Sequence, residues 1–469
     1  MKYHIWTIGC QMNTADSQRL ASELERLGYA WTAEVEDADV VVLNTCVVRQ
    51  QAEDRIYGRL GSLRPIKAAR PDTVVALMGC LVGHKPPAAL VRRFPEVDVF
   101  IPPSATSPLT DFLRARAVDA AAREIDAAQV SRRWDLQDTV ELEAIGQPGD
   151  LVLPTHERGR LTSAHVPIVY GCNWVCTFCI IPSRRGPERS RPAEEIEAHV
   201  RSLVDQGVRE VTLLGQIVDR YGYDWGARDA LARLLERLNG IDGLARIRFL
   251  TSHPNFMSDD LLDTVAGLPK VMEHIEVPVQ AGDDTVLSRM KRGYTVDDYR
   301  RLVERIRARI PNVAIHTDII VGFCGETEAQ FQGTYDLLAE LKLDKAHLAK
   351  FSTRPGTVAA KLLVDDVMAV EKERRRKALD GLQQTVCAEI TARQLGRTVE
   401  VLVERQEGAR WQGRTRTNKL VFFEDARPLA GQLVDVEITW TGPWSMIGHA
   451  ADRAPAPTAV REIIELVAV

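Results

Sequence analysis

Apolar and polar positions along the first hundred residues alternate between two rhythms. Short β-branched runs, His4–Ile8, Asp39–Leu43, Thr73–Met78 and Val97–Ile101, read as strands. Between them, Asp16–Leu27 sets Leu20, Leu24 and Leu27 at helical spacing, Arg49–Leu63 reads as a second helix, and Leu90–Phe94 ends a third. This alternation predicts a parallel sheet with helices on both faces. The rhythm fades over 106–165, where Asp111–Val130 is an Ala-rich, charged stretch expected to form a surface helix and Gly146-Gln147-Pro148-Gly149-Asp150 is rich in turn residues. It returns from Ala164 to Val364. Strands are predicted at Val166–Tyr170, Glu210–Leu214, Arg246–Leu250, His274–Val277, Ala314–Val321 and Lys345–Phe351, with helices such as Ala193–Gln206 and Asp229–Asn239 between them. That count fits a partial (β/α)6 barrel, whose chemistry sits at the C-terminal strand ends. A long charged helix, Asp366–Leu395, follows. After it, Thr398–Val403, Arg410–Thr415, Lys419–Phe423 and Leu433–Thr439 read as a small β barrel. The expectation is an α/β protein: an N-terminal domain over 1–130, a linker over 131–160, a barrel over 161–385, a small β barrel over 390–450, and a tail over 451–469.

Composition narrows the class. With 45% hydrophobic and 27% charged residues, the chain can bury a sizeable core. A net charge of −5 does not mark a general nucleic-acid binder, so any RNA contact must come from local basic patches. The first ten residues are too polar for a signal peptide, and no apolar run reaches the length of a membrane span, so a cytoplasmic protein is expected. Eight cysteines in 469 residues are too few for a disulfide scaffold and favour metal or redox chemistry.

Three of the cysteines, Cys172, Cys176 and Cys179, share one eight-residue loop after the predicted strand Val166–Tyr170, with Gly171 as the hinge. Thiolates this close suit a metal. Three ligands leave one position open, whereas a closed zinc site or a fully held iron–sulfur cube takes four. A zinc site with a remote fourth ligand, or buried unreactive thiols, would use the same residues. A second set appears only through the strand pattern. Cys10, Cys46 and Cys80 each follow a predicted strand, and in a parallel sheet those ends lie on one edge, where open α/β sheets bind ligands. Small buried cysteines at strand ends are the competing reading.

The Cys172–Cys179 spacing, with Phe178 before the last cysteine, resembles the signature of the radical S-adenosylmethionine (SAM) superfamily. Gly9-Cys10-Gln11-Met12-Asn13 with Asp16-Ser17, Asn44-Thr45-Cys46 and Met78-Gly79-Cys80 resemble the N-terminal domain of the methylthiotransferases, in the branch acting on tRNA. Residues beyond 390 resemble the TRAM domain, an RNA-binding module. The resemblance spans about 1–448. It implies two [4Fe-4S] clusters and SAM. Cys172, Cys176 and Cys179 would hold the cluster that cleaves SAM to a deoxyadenosyl radical, and Cys10, Cys46 and Cys80 an auxiliary cluster that supplies sulfur. The reaction implied is methylthiolation at C2 of N6-isopentenyladenosine beside the tRNA anticodon, a second SAM giving the methyl group. Phe178 would set its backbone against the SAM adenine. Gln216, Ser252 and Gln280, in loops after later strands, would line the mouth that holds SAM and substrate, and the N-terminal sheet edge would face that mouth. No side-chain acid or base is expected to carry catalysis, because an adenine C2–H is not acidic.

Some positions depart from the family pattern: Ile217 stands where Asn is usual, Ala281 where Ser is, and Cys324 where Pro is. Cys324 and Cys387 are not expected to be ligands, and His253, His274 and His316 are expected to be structural. Arg184, Arg185, Arg189 and Arg191 follow the cysteine loop. They either hold phosphates or the SAM carboxylate, or form a solvated loop. The charges of Glu371–Lys377 read as a wet helix face. Arg410–Lys419 interleaves cations with Trp411 and reads as a patch able to grip phosphates and stack on bases. The expected partners are tRNA, through the TRAM region and barrel mouth, and an electron-donor protein, for a monomeric enzyme. Two other readings use the same residues: the same chemistry on N6-threonylcarbamoyladenosine or a ribosomal-protein aspartate, and a zinc-stabilised RNA-binding protein.

Overall fold

A computed structural model describes residues 1–47, 50–84, 86, 88–121 and 152–451. The turn-rich 146–150 segment, the end of the Ala-rich stretch and the apolar tail lie outside the described residues. The chain forms two compact units. One comprises the described residues of Met1–Glu157 with Tyr170–Asn173 and Ile180–Ser202. The other comprises Arg158–Val169, Trp174–Cys179 and the described residues from Leu203 onward.

In the first unit, β1 (Lys2–Ile8), β2 (Ala30–Trp31), β3 (Val40–Thr45), β4 (Val74–Gly79) and β5 (Val99–Ile101) form a sheet in the order β2-β1-β3-β4-β5. Every strand pair is parallel. The central strands β3 and β4 are buried along their whole length, which is why they read as unbroken apolar runs. Val41, Leu43, Val75 and Leu77 pack with Ile56 and Leu60 of α2 (Gln50–Ala69) on one face. Val40, Val42, Ala76 and Met78 pack with Leu20 and Leu24 of α1 (Gln11–Arg26) on the other. The register sets Ile8 opposite Thr45 and Thr45 opposite Gly79, so three strands end level.

Three differences from the sequence reading have physical causes. Helix α1 starts at Gln11 and not Asp16, because Cys10 in an extended conformation caps it, a role in which Ser, Thr, Asp or Asn is usual. Helix α2 runs through Pro65 to Ala69 where the pattern placed its end at Leu63. β2 is only two exposed residues and leaves no apolar signal.

The second unit holds six parallel strands. These are β6 (Ser163–Pro167), β9 (Glu210–Leu214) and β10 (Arg246–Phe249), then β11 (His274–Glu276), β12 (Ala314–Val321) and β13 (Lys345–Lys350). A parallel bridge from Ile247 to Val271, continued by the Ser252 N–H donating to Glu276 O, joins the two triplets into the expected partial barrel. Two short strands, β7 (Val169–Tyr170) and β8 (Arg189–Ser190), flank the cysteine loop in sequence. The helix Ala369–Ala392 leads into a closed barrel of β14 (Thr398–Glu407), β15 (Arg410–Thr415), β16 (Leu420–Glu424), β17 (Leu433–Thr441) and β18 (Ser445–Ala450). β18 carries too little periodicity to be read from sequence.

The small barrel sits at the N-terminal edge of the six strands. Arg246 and Arg248, on β10, donate to the carbonyls of Arg414, Thr415 and Arg416. Arg416 forks onto Glu273, just before β11, and Lys419 pairs with Asp344, just before β13. The cysteine loop follows the opposite, C-terminal end of β6.

Candidate active site

Cys10, Cys46 and Cys80 follow the three level strand ends of the first sheet. A lattice of amides fixes them. Asn13, in the first turn of α1, accepts from the Cys10 N–H and Sγ with its Oδ1 and donates from Nδ2 to Asn44 Oδ1 (2.9 Å) and Thr45 O (3.1 Å). Asn44 returns a bond to Asn13 O (2.8 Å) and another to Ser17 Oγ (2.8 Å). Both Asn side chains are buried, so each unmade bond would be costly, and the helix start is tied to the strand end. Gly79 has a φ of +102° and closes onto the Thr45 carbonyl, leaving no room for a side chain before Cys80.

Cys80 is nearly fully buried. Burial pushes its thiol up to about 11; Arg185 works against that rise, and Cys46 and Cys10 nearby add to it. Arg185 belongs to the helix Ile181–Arg185 and spreads its fork three ways. Nε donates to Cys80 Sγ (3.3 Å), Nη1 to Ser104 Oγ (3.1 Å) and Nη2 to Asp16 Oδ2 (3.2 Å). Burial disfavours its charge, but Cys80 and Asp16 outweigh that and its pKa is raised. The arginine run is therefore neither a solvated loop nor uniformly a phosphate grip. Arg185 is committed to a cysteine of the other triad, a role that nothing in its local sequence signals.

In the loop itself, the Cys172 N–H donates to Gly186 O. Gly171 adopts φ +68° against the Gly186 and Pro187 carbonyls. Cys176 accepts at Sγ from Arg292 Nη1 (3.2 Å). Arg292 Nε also donates to Tyr294 OH, and Tyr294 OH reaches Val279 O (2.8 Å) in the Pro278-Val279-Gln280 segment. Thr177 is pinned to the backbone of Arg289 and Met290. Sequence reasoning missed Arg292 and Tyr294, which no motif announces.

Of the expected cofactor contacts, Phe178 is half-buried with its ring edge-on to Phe323. Gln216 follows β9. Ser252 is buried, and its Oγ has no hydrogen-bond partner among the described residues. The neighbouring His253 Nε2 is likewise unmatched, while Asp219 accepts the His253 N–H with both oxygens. Burial, then Arg292 and Arg220, hold the His253 ring neutral, with a pKa lowered to about 2. Burial raises Asp219 to about 8. Gln280 (φ +76°) and Thr251 (φ +67°) carry left-handed backbones at the ends of two barrel strands, strain of the kind stored at ligand sites. Ile217, Ala281 and Cys324 are all buried, and Cys387 Sγ donates to Asp344 O within the core.

Each set offers three thiolates, the donors an iron–sulfur cluster takes. Among the described residues, Glu276, His316 and His347 form a group whose ligand atoms lie within 4.8 Å of one another. An N–H donor on a cysteine sulfur in each set is the surrounding such clusters take. His316 is hydrogen-bonded to His274 (3.0 Å).

The basic patch departs from expectation. Trp411 is buried, Arg414 pairs with Glu404, and Arg416 and Lys419 hold the small barrel to the strand edge. These three cations are paired within the unit, while Arg410 is exposed with its guanidinium over the Phe422 ring. Trp440 and Trp444, around the β17–β18 turn, are the half-exposed aromatics of this barrel.

Comparison with known proteins gives a consistent picture. The Radical SAM superfamily model matches residues 166–338, the model of uncharacterized protein family UPF0004 matches 2–102, and the TRAM domain model matches 392–451. The chain is 47% identical over 450 residues to the tRNA-2-methylthio-N(6)-dimethylallyladenosine synthase of Chloroflexus aurantiacus, covering 95% of this chain and 91% of that protein. It is 46% identical to the Herpetosiphon aurantiacus protein of the same name, covering 96% and 97%. Among solved structures, a radical SAM methyltransferase, TsrM, from Kitasatospora setae, with cobalamin and a [4Fe-4S] cluster bound, aligns over 76% of this chain and 74% of its own, with a TM-score of 0.54 at 16% identity, a likeness of fold.

Proposed function

The chain belongs to the tRNA-2-methylthio-N(6)-dimethylallyladenosine synthase family of radical SAM enzymes, and on that premise we propose that it methylthiolates C2 of N6-isopentenyladenosine beside the anticodon of tRNA. What supports the reading is that Cys10, Cys46 and Cys80 follow three level strand ends and that Cys172, Cys176 and Cys179 share one loop after β6 and β7. With its cofactors in place, the Cys172, Cys176 and Cys179 centre supplies radical chemistry from SAM, and the Cys10, Cys46 and Cys80 centre supplies sulfur. The chain's own residues hold and orient. Arg292 steadies Cys176 and, through Tyr294, the Pro278–Gln280 segment. Ser252 Oγ and His253 Nε2 offer unmatched polar groups to a ligand in the mouth that Phe178, Gln216 and Gln280 are proposed to line with them. Asn13 and Asn44 fix the level strand ends beneath the second triad.

The substrate is held by two surfaces in this reading. The adenine enters the barrel mouth, and the anticodon arm meets the small barrel at Trp440 and Trp444, whose half-exposed rings suit base stacking. The enzyme works as a cytoplasmic monomer fed by an electron-donor protein. Among the described residues, no helix is long and apolar enough to cross a membrane.

The test is an anaerobic assay with SAM, a reductant and tRNA carrying N6-isopentenyladenosine, read by nucleoside mass spectrometry. The expected result is a gain of one methylthio group on that nucleoside, abolished by alanine at either cysteine triad. Modification of N6-threonylcarbamoyladenosine or of a ribosomal protein instead would overturn the substrate assignment. Zinc in place of iron would overturn the enzyme reading.

A further inference from the structure

Arg185 lies six residues beyond Cys179 in sequence, yet its guanidinium ends on Cys80. We propose that Arg185 is a positioning residue for the auxiliary centre: it donates an N–H to the Cys80 sulfur and, anchored by Asp16 and Ser104, sets the reduction potential of the cluster held there. The proposal rests on the assignment of Cys10, Cys46 and Cys80 as cluster ligands.

Three features of the geometry argue for this role over a plain ion pair. First, the fork is split. A guanidinium serving only Asp16 would present two parallel N–H groups to the carboxylate. Here Asp16 receives one N–H at 3.2 Å, Ser104 Oγ another at 3.1 Å, and Nε turns to the sulfur at 3.3 Å. Second, the anchors are themselves held. Asp16 lies on α1, the helix capped by Cys10, and Ser104 stands at φ +61° with its carbonyl accepting from Arg19 (2.6 Å). Third, Arg185 and Asp16 side chains are each only 3% exposed, so the cation acts on the sulfur with little solvent screening. A buried donor and positive charge at a ligating sulfur withdraw electron density from it and favour the reduced cluster, which raises the potential. Lysine would keep the charge but not a planar fork with three separate targets. Cys10 and Asp16 thus stand at the start of one helix with separate tasks: Cys10 is a proposed ligand, and Asp16 aims the Arg185 cation at Cys80.

The test uses full-length protein carrying alanine at Cys172, Cys176 and Cys179, so that the auxiliary cluster alone is present, and compares it with Arg185→Gln, Arg185→Lys and Ser104→Ala made in the same background. Potentials are read by redox titration followed by electron paramagnetic resonance, with iron counted in each sample. The parent should hold about four irons. Arg185→Gln should move the midpoint to more negative potential, Arg185→Lys by less, and Ser104→Ala slightly in the same direction. Loss of iron from folded Arg185→Gln would also support the role. Full iron with unchanged potentials in the Arg185 variants would overturn it. So would unfolding of both Arg185 variants together with an unchanged potential in Ser104→Ala, which would leave Arg185 to the fold. A parent without iron, Arg185 intact, would instead overturn the ligand assignment.

Discussion

Cys80 shows how far a single residue can be read. That it is a cysteine just after a strand is visible in the sequence. That it is buried, and that its neighbour is Arg185, is not, because the partner arrives from 105 positions away. Cysteines announce themselves through the chemistry of sulfur, whereas arginines serve so many surface roles that Arg185 and Arg292 do not stand out from the 60 basic residues of the chain. Titration at single residues gives a check that needs no cofactor. Burial, then Asp318, raises the Glu276 carboxyl to about 7 from an ordinary 4.5. A carboxyl with a raised folded-state pKa binds its proton more tightly in the native chain, so its contribution is fully present below pH 4.5 and is lost as pH rises through 7. The loss is at most about 3 kcal/mol. The wild-type unfolding midpoint should therefore fall between pH 5 and 8, and Glu276→Gln should flatten that fall. An equally steep fall in the variant would contradict the burial argument.

At the level of elements, the first sheet was legible because its central strands are buried along their whole length and read as near-continuous apolar runs, whereas the barrel strands, such as Arg246–Phe249 and Ala314–Val321, were read through short β-branched stretches that also carry charged residues. Boundaries set by side-chain caps and short edges were not legible. Helix α1 gains a turn and more from Cys10 and Asn13, a cap that propensity does not foresee, and β18 owes its place to pairing with β16 and β17. The same local devices make the auxiliary site fragile. Gly79→Ala forces a side chain into a left-handed conformation against the Thr45 carbonyl. It should cost on the order of 1–3 kcal/mol. Asn13→Ala leaves Asn44 buried with a lost partner at a similar cost. Both should also shed about half the iron of the reconstituted protein while the barrel cluster stays. Unchanged melting and iron in both variants would show that the amide lattice does not shape the site.

Across the whole molecule, the N-terminal parallel sheet, the partial barrel and the small closed barrel were visible from period and motif, but the use of the charges was not. The Arg410–Lys419 stretch looks like a nucleic-acid grip in one dimension. In three, its Arg416 and Lys419 attach the small barrel while Arg410 stays exposed over the Phe422 ring, and Arg248 and Glu210 form a buried pair, 3% and 6% exposed. Removing one partner of such a pair should cost about 3–5 kcal/mol, so Arg248→Ala should melt well below the wild type. Arg416→Ala should lower stability and leave the salt dependence of tRNA binding unchanged, because Arg416 meets Glu273 and not a phosphate. Trp440→Ala and Trp444→Ala should weaken tRNA binding without loss of fold, by roughly 1–3 kcal/mol each. The opposite pattern would return the RNA face to the Arg410–Lys419 stretch. The central claim is that one chain carries two independent iron–sulfur sites, and the most direct measurement is iron and acid-labile sulfide in the anaerobically reconstituted wild type and in the two triple Cys→Ala variants. The account predicts about eight irons in the wild type and about four in each variant; about four in the wild type, with none lost when Cys10, Cys46 and Cys80 are removed, would contradict it.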